Sequence, residues 1–301
     1  MFRQPLSGRG ASLSAVRRLL IVLAVLGLLA AAGVLAWLPF RGHAHARRAA
    51  PATRPRRRVR IAVSGASPPN PPTGPHDAPV PILMYHVIAP PLPNAPYPDL
   101  YVKPEDFRAQ VAWLAAHGYH AVTLRQVYDY WRGRRALPRK PVVLTFDDGY
   151  RSDFTVALPT LRARRWPGVL DLEVQNLQPV WGTRPGMVRK LIAAGWEIDA
   201  HTLTHPDLTT LDPAELRREV AGSRAAIRRM FHQPVDFFCY PSGRYDDAVV
   251  GAVRAAGFLG ATTTNEGLGR PDSLYTLDRV RVNGSDGVSG LAEKLQALEG
   301  A

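Results

Sequence analysis

Residues 142–150 read VVLTFDDGY, an apolar run that stops abruptly at two adjacent carboxylates and a glycine. Val142, Val143, Leu144, Thr145 and Phe146 predict a buried strand of a parallel sheet, because the run is short, β-branched and preceded by Pro141. Such a strand delivers Asp147 and Asp148 to its C-terminal end, and Gly149 lets the backbone turn sharply behind them. Neighbouring carboxylates repel unless a cation or a shared proton compensates. Successive side chains of an extended chain diverge, so the pair can divide two tasks, one binding a metal while the other handles a proton. Taken alone, Asp-Asp-Gly is also an ordinary turn sequence.

Working outward from this strand, short apolar runs alternate with helical patterns from Val80 onward, the mark of a parallel sheet wrapped by helices. Strands are expected at 80–87, 119–124, 142–146, 168–174, 196–200, 235–241, 259–264 and 277–282, with helices at 103–118, 124–133, 158–165, 185–195, 246–257 and 287–298. A further helix runs to about Phe231, with Asp212, Pro213 and Glu215 as its N-cap, N1 and N3 residues. Seven or eight strand–helix units in about 220 residues suit a closed (β/α) barrel better than an open doubly wound sheet. His86, Asp147, Asp148, His201 and the Pro241–Ser242–Gly243 run each follow a strand, where barrel enzymes collect their chemistry.

The 301 residues carry a net charge of +13, unevenly placed. Residues 1–79 hold 12 Lys and Arg against Asp77 alone, leaving 26 basic and 24 acidic residues for the rest. The folded part, 80–301, is therefore nearly neutral, and the basic balance is no argument for nucleic-acid binding. Residues 19–40 are uncharged over a length that can cross a bilayer, and Arg3, Arg9, Arg17 and Arg18 precede them. A signal-anchor with a cytoplasmic N-terminus (1–18) is expected, with a cleavable signal peptide as the rival reading on account of Ala30, Ala31 and Ala32. Either way the remainder lies outside the cytoplasmic membrane. Residues 41–79, rich in Arg, Pro, Ala and Ser, read as a disordered basic linker. Cys239, the single cysteine, excludes an internal disulfide and reads as a small buried hydrophobe.

His201 and His205, in HTLTHP, have the spacing of a two-histidine metal clamp on a loop after a strand. With a carboxylate at an equivalent strand end they make a set open to water and substrate, as a hydrolytic metal site requires. A metalloprotease would keep a Glu base beside the first histidine, whereas position 202 is threonine. Asp147 is the obvious base.

TFDDG at 145–149, HTLTHPDL at 201–208 and YPSGRYDD at 240–247 resemble the polysaccharide deacetylases of the NodB-homology class, carbohydrate esterase family 4, in the branch that begins VPILMYH and includes poly-N-acetylglucosamine deacetylases. The resemblance spans Pro81 to about Gly284. It implies a distorted (β/α) barrel of about seven strands and metal-dependent removal of acetyl groups from N-acetylated sugars. Carried over by motif, Asp148, His201 and His205 hold a divalent metal, zinc by preference and cobalt or nickel as alternatives, and Asp147 is the general base. Tyr240, Pro241, Ser242 and Gly243 contribute to substrate and oxyanion binding, with the backbone N–H placed near Ser242. The family's C-terminal Leu-x-His acid has no counterpart here; in the VPILMYH branch the corresponding histidine lies near the start of the domain, and the resemblance therefore implies His86 as the general acid. Cys239 and Ser242 stand where the family has an arginine and a tyrosine, so the partner that orients Asp147 is open, with Arg244 one candidate. An acetylated polysaccharide is the expected substrate and the membrane the expected attachment; no protein partner is inferable. The alternatives are a carbohydrate-binding pseudoenzyme and a deacetylase of another substrate such as acetylxylan. Trp181 and Tyr245 are candidates to stack on sugar faces, while Trp196 fits core packing.

Overall fold

The computed structural model describes residues 75–300. The expected anchor at 19–40 and all of the expected linker before Pro75 lie outside the described residues. No helix among the described residues is long and apolar enough to cross a membrane.

The described residues contain eight parallel strands: β1 (Ile82–Tyr85), β2 (His120–Ala121), β3 (Pro141–Asp148), β4 (Val169–Leu172), β5 (Glu197–Ala200), β6 (Phe237–Cys239), β7 (Gly260–Glu266) and β8 (Leu277–Arg281). β1 pairs with both β3 and β8, so seven strands close into a barrel, and the two-residue β2 flanks β3 outside it. This is the closed (β/α) barrel expected from the alternating pattern, with about the seven strands and the distortion that the resemblance implies. Its irregularity is visible in the pairings: β5 and β6 share one pair, Ala200 with Phe238, and the register between β7 and β8 shifts between Thr262 and Glu266.

The helices are α1 (Pro104–Ala116), α2 (Leu124–Trp131), α3 (Leu158–Arg162), α4 (Pro185–Ala193), α5 (Pro213–Phe231), α6 (Asp247–Ala255) and α7 (Gly287–Glu299). Their starts follow the expected chemistry. The Asp212 carboxylate accepts from Ala214 N at 2.8 Å and Glu215 N at 2.9 Å, satisfying two of the free N–H groups that open α5. Thr123 and Gln126 form a reciprocal capping box on α2.

Alternate residues of β3 serve different cores, as the two-residue period of a strand demands. Val142, Leu144 and Phe146 join the large cluster between barrel and helices, where Phe146 meets Tyr85, Phe107 and Trp196 with ring centroids 5.6, 5.9 and 5.0 Å away. Val143 joins a second cluster with Ile82, Val169, Phe237 and Leu277, against which Leu124, Val127 and Trp131 of α2 pack. The next residues of this inner set, Thr145 and Asp147, are polar and fully or nearly fully buried. The barrel interior thus passes from apolar at its N-terminal end to charged at its C-terminal end, and the charged end carries the site.

Candidate active site

Asp147 and Asp148 end β3 with their side chains diverging, as the strand geometry requires. Asp147 points inward and is 2% exposed. Its carboxylate is gripped by Arg279 of β8, with Nη1 to Oδ1 at 2.8 Å and Nη2 to Oδ2 at 2.8 Å. This bidentate pair fixes the carboxylate plane. Burial alone would raise the Asp147 pKa, but the Arg279 charge, helped by His86, overrides it and holds the group well below the usual carboxylate range. Arg279 is itself fully buried and also donates to Thr145 Oγ1 at 2.9 Å and to the Thr263 carbonyl at 2.7 Å. It is the functional residue that sequence reasoning missed. Arg244, the candidate for that task, instead pairs with Asp207 on the surface. Cys239, in the position of the family's arginine, lies beside this pair: Sγ is 3.3 Å from Arg279 Nη2 and 3.6 Å from Asp147 Oδ2. The expectation of a buried, unpaired Cys239 holds.

Asp148 adopts φ 73°, a left-handed conformation costly for a residue with a Cβ. So do Thr202 (φ 68°), His205 (φ 56°) and Ser242 (φ 52°). Four of the seven such non-glycine residues among the described residues thus lie in the motif loops, where strain serves to aim side chains. Gly149 (φ 89°) completes the turn; a Cβ there would lie 2.7 Å from Leu172 Cδ1.

The turn brings Asp148 Oδ1 to 3.3 Å from His201 Nε2 and 3.7 Å from His205 Nε2. Ligand atoms of the three residues lie within 4.8 Å of one another. His201 Nδ1 is 2.8 Å from the Cys239 carbonyl. Its proton on that nitrogen leaves the Nε2 lone pair facing Asp148, the tautomer a metal ligand needs. Burial disfavours a charged His201, yet Cys239 and Asp148 raise its pKa well above the ordinary value. A carboxylate that draws a proton to this point draws a metal cation for the same reason. These residues therefore fit a divalent ion. A second group, Asp147, His201 and Cys239, is equally close-set. It fits poorly, since Arg279 already occupies both Asp147 oxygens and its guanidinium would repel a cation beside Sγ.

The histidine loop is braced from below by Glu219 of α5, 3% exposed, which accepts from Leu203 N at 2.9 Å, Thr204 N at 3.0 Å and Thr204 Oγ1 at 3.0 Å. Thr202 Oγ1 accepts from His205 N at 2.8 Å, closing the turn. On the other side Asn176 Nδ2 donates to the Asp148 carbonyl at 3.0 Å and to Glu173 Oε2 at 2.9 Å. Burial and the Asp148 charge push the Glu173 carboxyl up to about 7. Glu219, Asn176 and Glu173 were not expected from the motifs. Asp171 and Asp199, cross-strand neighbours on β4 and β5, are buried acids raised well above the ordinary value by burial first and by neighbouring carboxylates. Arg279 Nη1 also lies 3.6 Å from Asp171 Oδ2, while its two-pronged grip is on Asp147.

His86, just past β1, places Nε2 3.8 Å from Asp147 Oδ2. Burial lowers its pKa against the pull of Asp147 and Asp148. Of the predicted turn, Tyr240 and Ser242 line the same cleft of about 950 Å³ as His86, Asp147, Asp148, His201 and His205. Pro241 is buried, and Gly243 (φ 69°) packs so closely on Thr264 that a Cβ would collide with it. The Tyr240 hydroxyl donates to the Tyr275 carbonyl at 2.9 Å and its ring stacks on Tyr245. Trp181 lines the cleft, and Trp196, 4% exposed, belongs to the core. The sequence-predicted residues Asp147, Asp148, His86, His201, His205, Tyr240 and Ser242 thus meet at one end of the barrel, from β1, β3, β5 and β6.

Residues 134–261 match the family model described as polysaccharide deacetylase. The chain is 30% identical over 216 residues to YxkH of Bacillus subtilis (strain 168), whose own polysaccharide deacetylase designation is provisional, covering 71% of this chain and 75% of that protein. It is 47% identical over 68 residues to the poly-beta-1,6-N-acetyl-D-glucosamine N-deacetylase of Escherichia coli (strain K12), a match covering 23% of this chain but only 10% of that protein. Among solved structures, the Streptococcus pyogenes deacetylase PplD in complex with acetate superimposes with a TM-score of 0.67 and 26% identity, covering 72% of this chain and 98% of that one. With the barrel and the site already in place, these similarities settle the class: the chain is a hydrolase and belongs to the polysaccharide deacetylase family, the NodB-homology group of carbohydrate esterase family 4.

Proposed function

We propose that this protein is a divalent-metal-dependent deacetylase of an N-acetylglucosamine-containing polysaccharide, working outside the cytoplasmic membrane to which its N-terminal segment tethers it. The observation that carries the reading is the convergence of Asp148, His201 and His205 on one ion-sized point beside a carboxylate, Asp147, that takes no part in that cluster. The substrate class is supported by the printed activity of the Escherichia coli relative. The location is supported by the uncharged run at 19–40 and the arginines before it.

A divalent ion held by Asp148, His201 and His205, zinc by preference, would supply Lewis acidity, lowering the pKa of a water and drawing charge from the acetyl carbonyl. Asp147 takes the proton of that water as the new C–O bond forms; Arg279 keeps the carboxylate ionised and in plane for it. A backbone N–H of the Tyr240–Gly243 turn donates to the developing oxyanion. His86, facing the same space from β1, donates a proton to the amide nitrogen as the C–N bond breaks, releasing acetate and a sugar amine. The proton held by Asp147 returns the site to its starting state through His86 or solvent.

The pseudoenzyme alternative draws on Cys239 in place of the family's arginine and on the missing C-terminal histidine; a guanidinium supplied by Arg279 from another strand and His86 facing Asp147 weigh against it. The test is acetate release from N-acetylglucosamine oligomers after chelation, with Zn²⁺, Co²⁺ or Ni²⁺ added back. Metal-restored release that Asp147→Asn abolishes is the expected result. Release indifferent to both chelation and Asp147→Asn refutes it.

A further inference from the structure

The end of the barrel opposite the cleft is floored by α2. Leu124, Val127, Tyr128 and Trp131 of this helix pack against Ile82, Val143, Val169, Phe237 and Leu277, which lie at or near the first residues of five barrel strands. The loop that leaves α2 and enters β3 reads RGRRALPRK over 132–140. Arg132, Arg134, Arg135, Arg139 and Lys140 are all exposed, and the loop holds no acid. Of the five, only Arg134 has a carboxylate of the described residues within ion-pairing distance, Asp129 at 3.4 Å. One or two basic residues here would complement the negative end of the α2 dipole. Five without an acid exceed that need, and the approach to β4, at the same end, adds exposed Arg162 and Arg165.

The acids of this end do not cancel the run. Asp129 and Asp236 are held by Arg125 at 3.1 and 2.7 Å, Glu299 accepts from the Tyr119 hydroxyl at 2.8 Å, and Asp272 is matched in number by Arg270. The cleft end is of mixed sign, with Asp99, Asp148 and Glu173 beside Arg244 and Arg281. The nearly neutral total of the folded part therefore hides a polarised surface. The chain also joins the barrel at its basic end. Trp131 Nε1 donates to the Ala78 carbonyl at 2.9 Å, the His76 ring meets that of Tyr130 edge-on at 5.2 Å, and Val80 and Gly269 exchange two bonds of 3.0 Å. Pro75 and His76 line one cavity with Arg139, Lys140 and Arg270.

An anchor at 19–40 is joined to Pro75 by residues 41–74, and a flexible chain of that length spans roughly 30 Å. Such a tether keeps the basic end of the barrel at high effective concentration beside the bilayer. Each Lys or Arg that reaches an anionic lipid surface favours the bound state about fivefold. We propose that the 132–140 loop, with the floor formed by α2, is a docking face for the anionic headgroups of the membrane that carries the anchor, so that the barrel sits floor-down with its cleft turned away from the bilayer. A tether alone fixes distance; this face fixes orientation, and presents the cleft to polymer lying outside the membrane. The inference rests on the reading of 19–40 as the anchor.

The test uses the full chain reconstituted in vesicles of phosphatidylcholine, with or without phosphatidylglycerol. A fluorophore at Ala136→Cys in the basic loop, or at Val180→Cys on the loop after β4 at the cleft end, reports energy transfer to a lipid-borne acceptor; the native Cys239 is buried. Strong transfer from 136 with weak transfer from 180, in phosphatidylglycerol vesicles alone, is the expected result. Salt at about 1 M, which shortens the screening length to about 3 Å, abolishes the difference. Arg135→Gln/Arg139→Gln/Lys140→Gln lowers the docked-to-undocked ratio by on the order of 100-fold, with the urea midpoint at wild type. Equal transfer from 136 and 180, or transfer from 136 that ignores both salt and the triple substitution, overturns the proposal. So does an acidic glycan, alginate, that binds the loop where phosphatidylglycerol vesicles do not. Alkaline carbonate extraction tests the anchor separately. Chain that resists extraction yet shows equal transfer keeps the tether and loses the docking face. Chain that extracts freely refutes the tether; flotation with phosphatidylglycerol vesicles through Arg135, Arg139 and Lys140 then upholds the face alone, and its absence refutes both.

Discussion

Replacing Arg279 by methionine tests the electrostatic core of the site. The substitution keeps a long apolar stem but deletes two 2.8 Å bonds to Asp147, one 2.9 Å bond to Thr145 Oγ1 and one 2.7 Å bond to the Thr263 carbonyl. Asp147 is then a carboxylate 2% exposed that has lost the guanidinium on its inner side. Leaving one member of a buried pair unpartnered costs about 3–5 kcal/mol. The pH dependence follows from the sign of the shift. In the wild type the Asp147 pKa is depressed, so the pair adds stability above the unfolded carboxylate value and loses it as pH falls through the folded value. In Arg279→Met, burial, the largest influence on Asp147, loses its strongest opponent and is met only by His86 and His201, so the folded pKa rises above the unfolded one. The variant's deficit is therefore greatest at neutral pH and shrinks on acidification toward about pH 4, as protonation relieves the buried charge. Activity moves with it: the acidic limb of the kcat/KM profile shifts upward, because the base is protonated over a range where it was ionised. Arg279→Lys restores the charge but not the two-pronged grip, and falls between. Urea unfolding across pH and the pH–rate profile of acetate release are the measurements. A loss below about 1 kcal/mol at pH 7, or an acidic limb unmoved in Arg279→Met, would refute the reasoning.

Glu219→Ala leaves Leu203 N and Thr204 N without their acceptor, and metal affinity should fall by about 10–100-fold, read by competition with a chelating dye. His86→Ala should lower kcat by about 10²–10⁴-fold while metal content stays at wild type; an unchanged kcat removes His86 as the acid. Cys239→Ala should cost about 1–2 kcal/mol for the buried sulfur, measured by urea unfolding, and keep acetate release within a few-fold, since Arg279 rather than Cys239 orients the base.

The barrel was legible because parallel strands covered on both faces read as continuous apolar runs, and because Asp147, His201 and the Tyr240–Gly243 turn recur at their C-terminal ends. Arg279 was hidden for a physical reason. In LDRVRV the residues alternate as in any strand with one wet face, so Arg279 reads as facing solvent; only closure of the barrel turns that face toward Asp147. Glu219 left a trace that could have been followed. It falls with Leu216, Val220, Ser223 and Ile227 on the buried stripe of α5, and a carboxylate on that stripe needs donors. The buried Asp171 and Asp199 left none, since an acid inside a short strand looks the same whether it faces water or the barrel interior.

The central claim is that three side chains from two loops hold one divalent ion. The direct measurement is anomalous diffraction at the zinc edge from crystals of the zinc-loaded protein, with metal content measured beside it. One peak within bonding distance of Asp148, His201 and His205, lost in His201→Ala, is the predicted result; a peak elsewhere, or stoichiometric zinc retained without His201, contradicts the account.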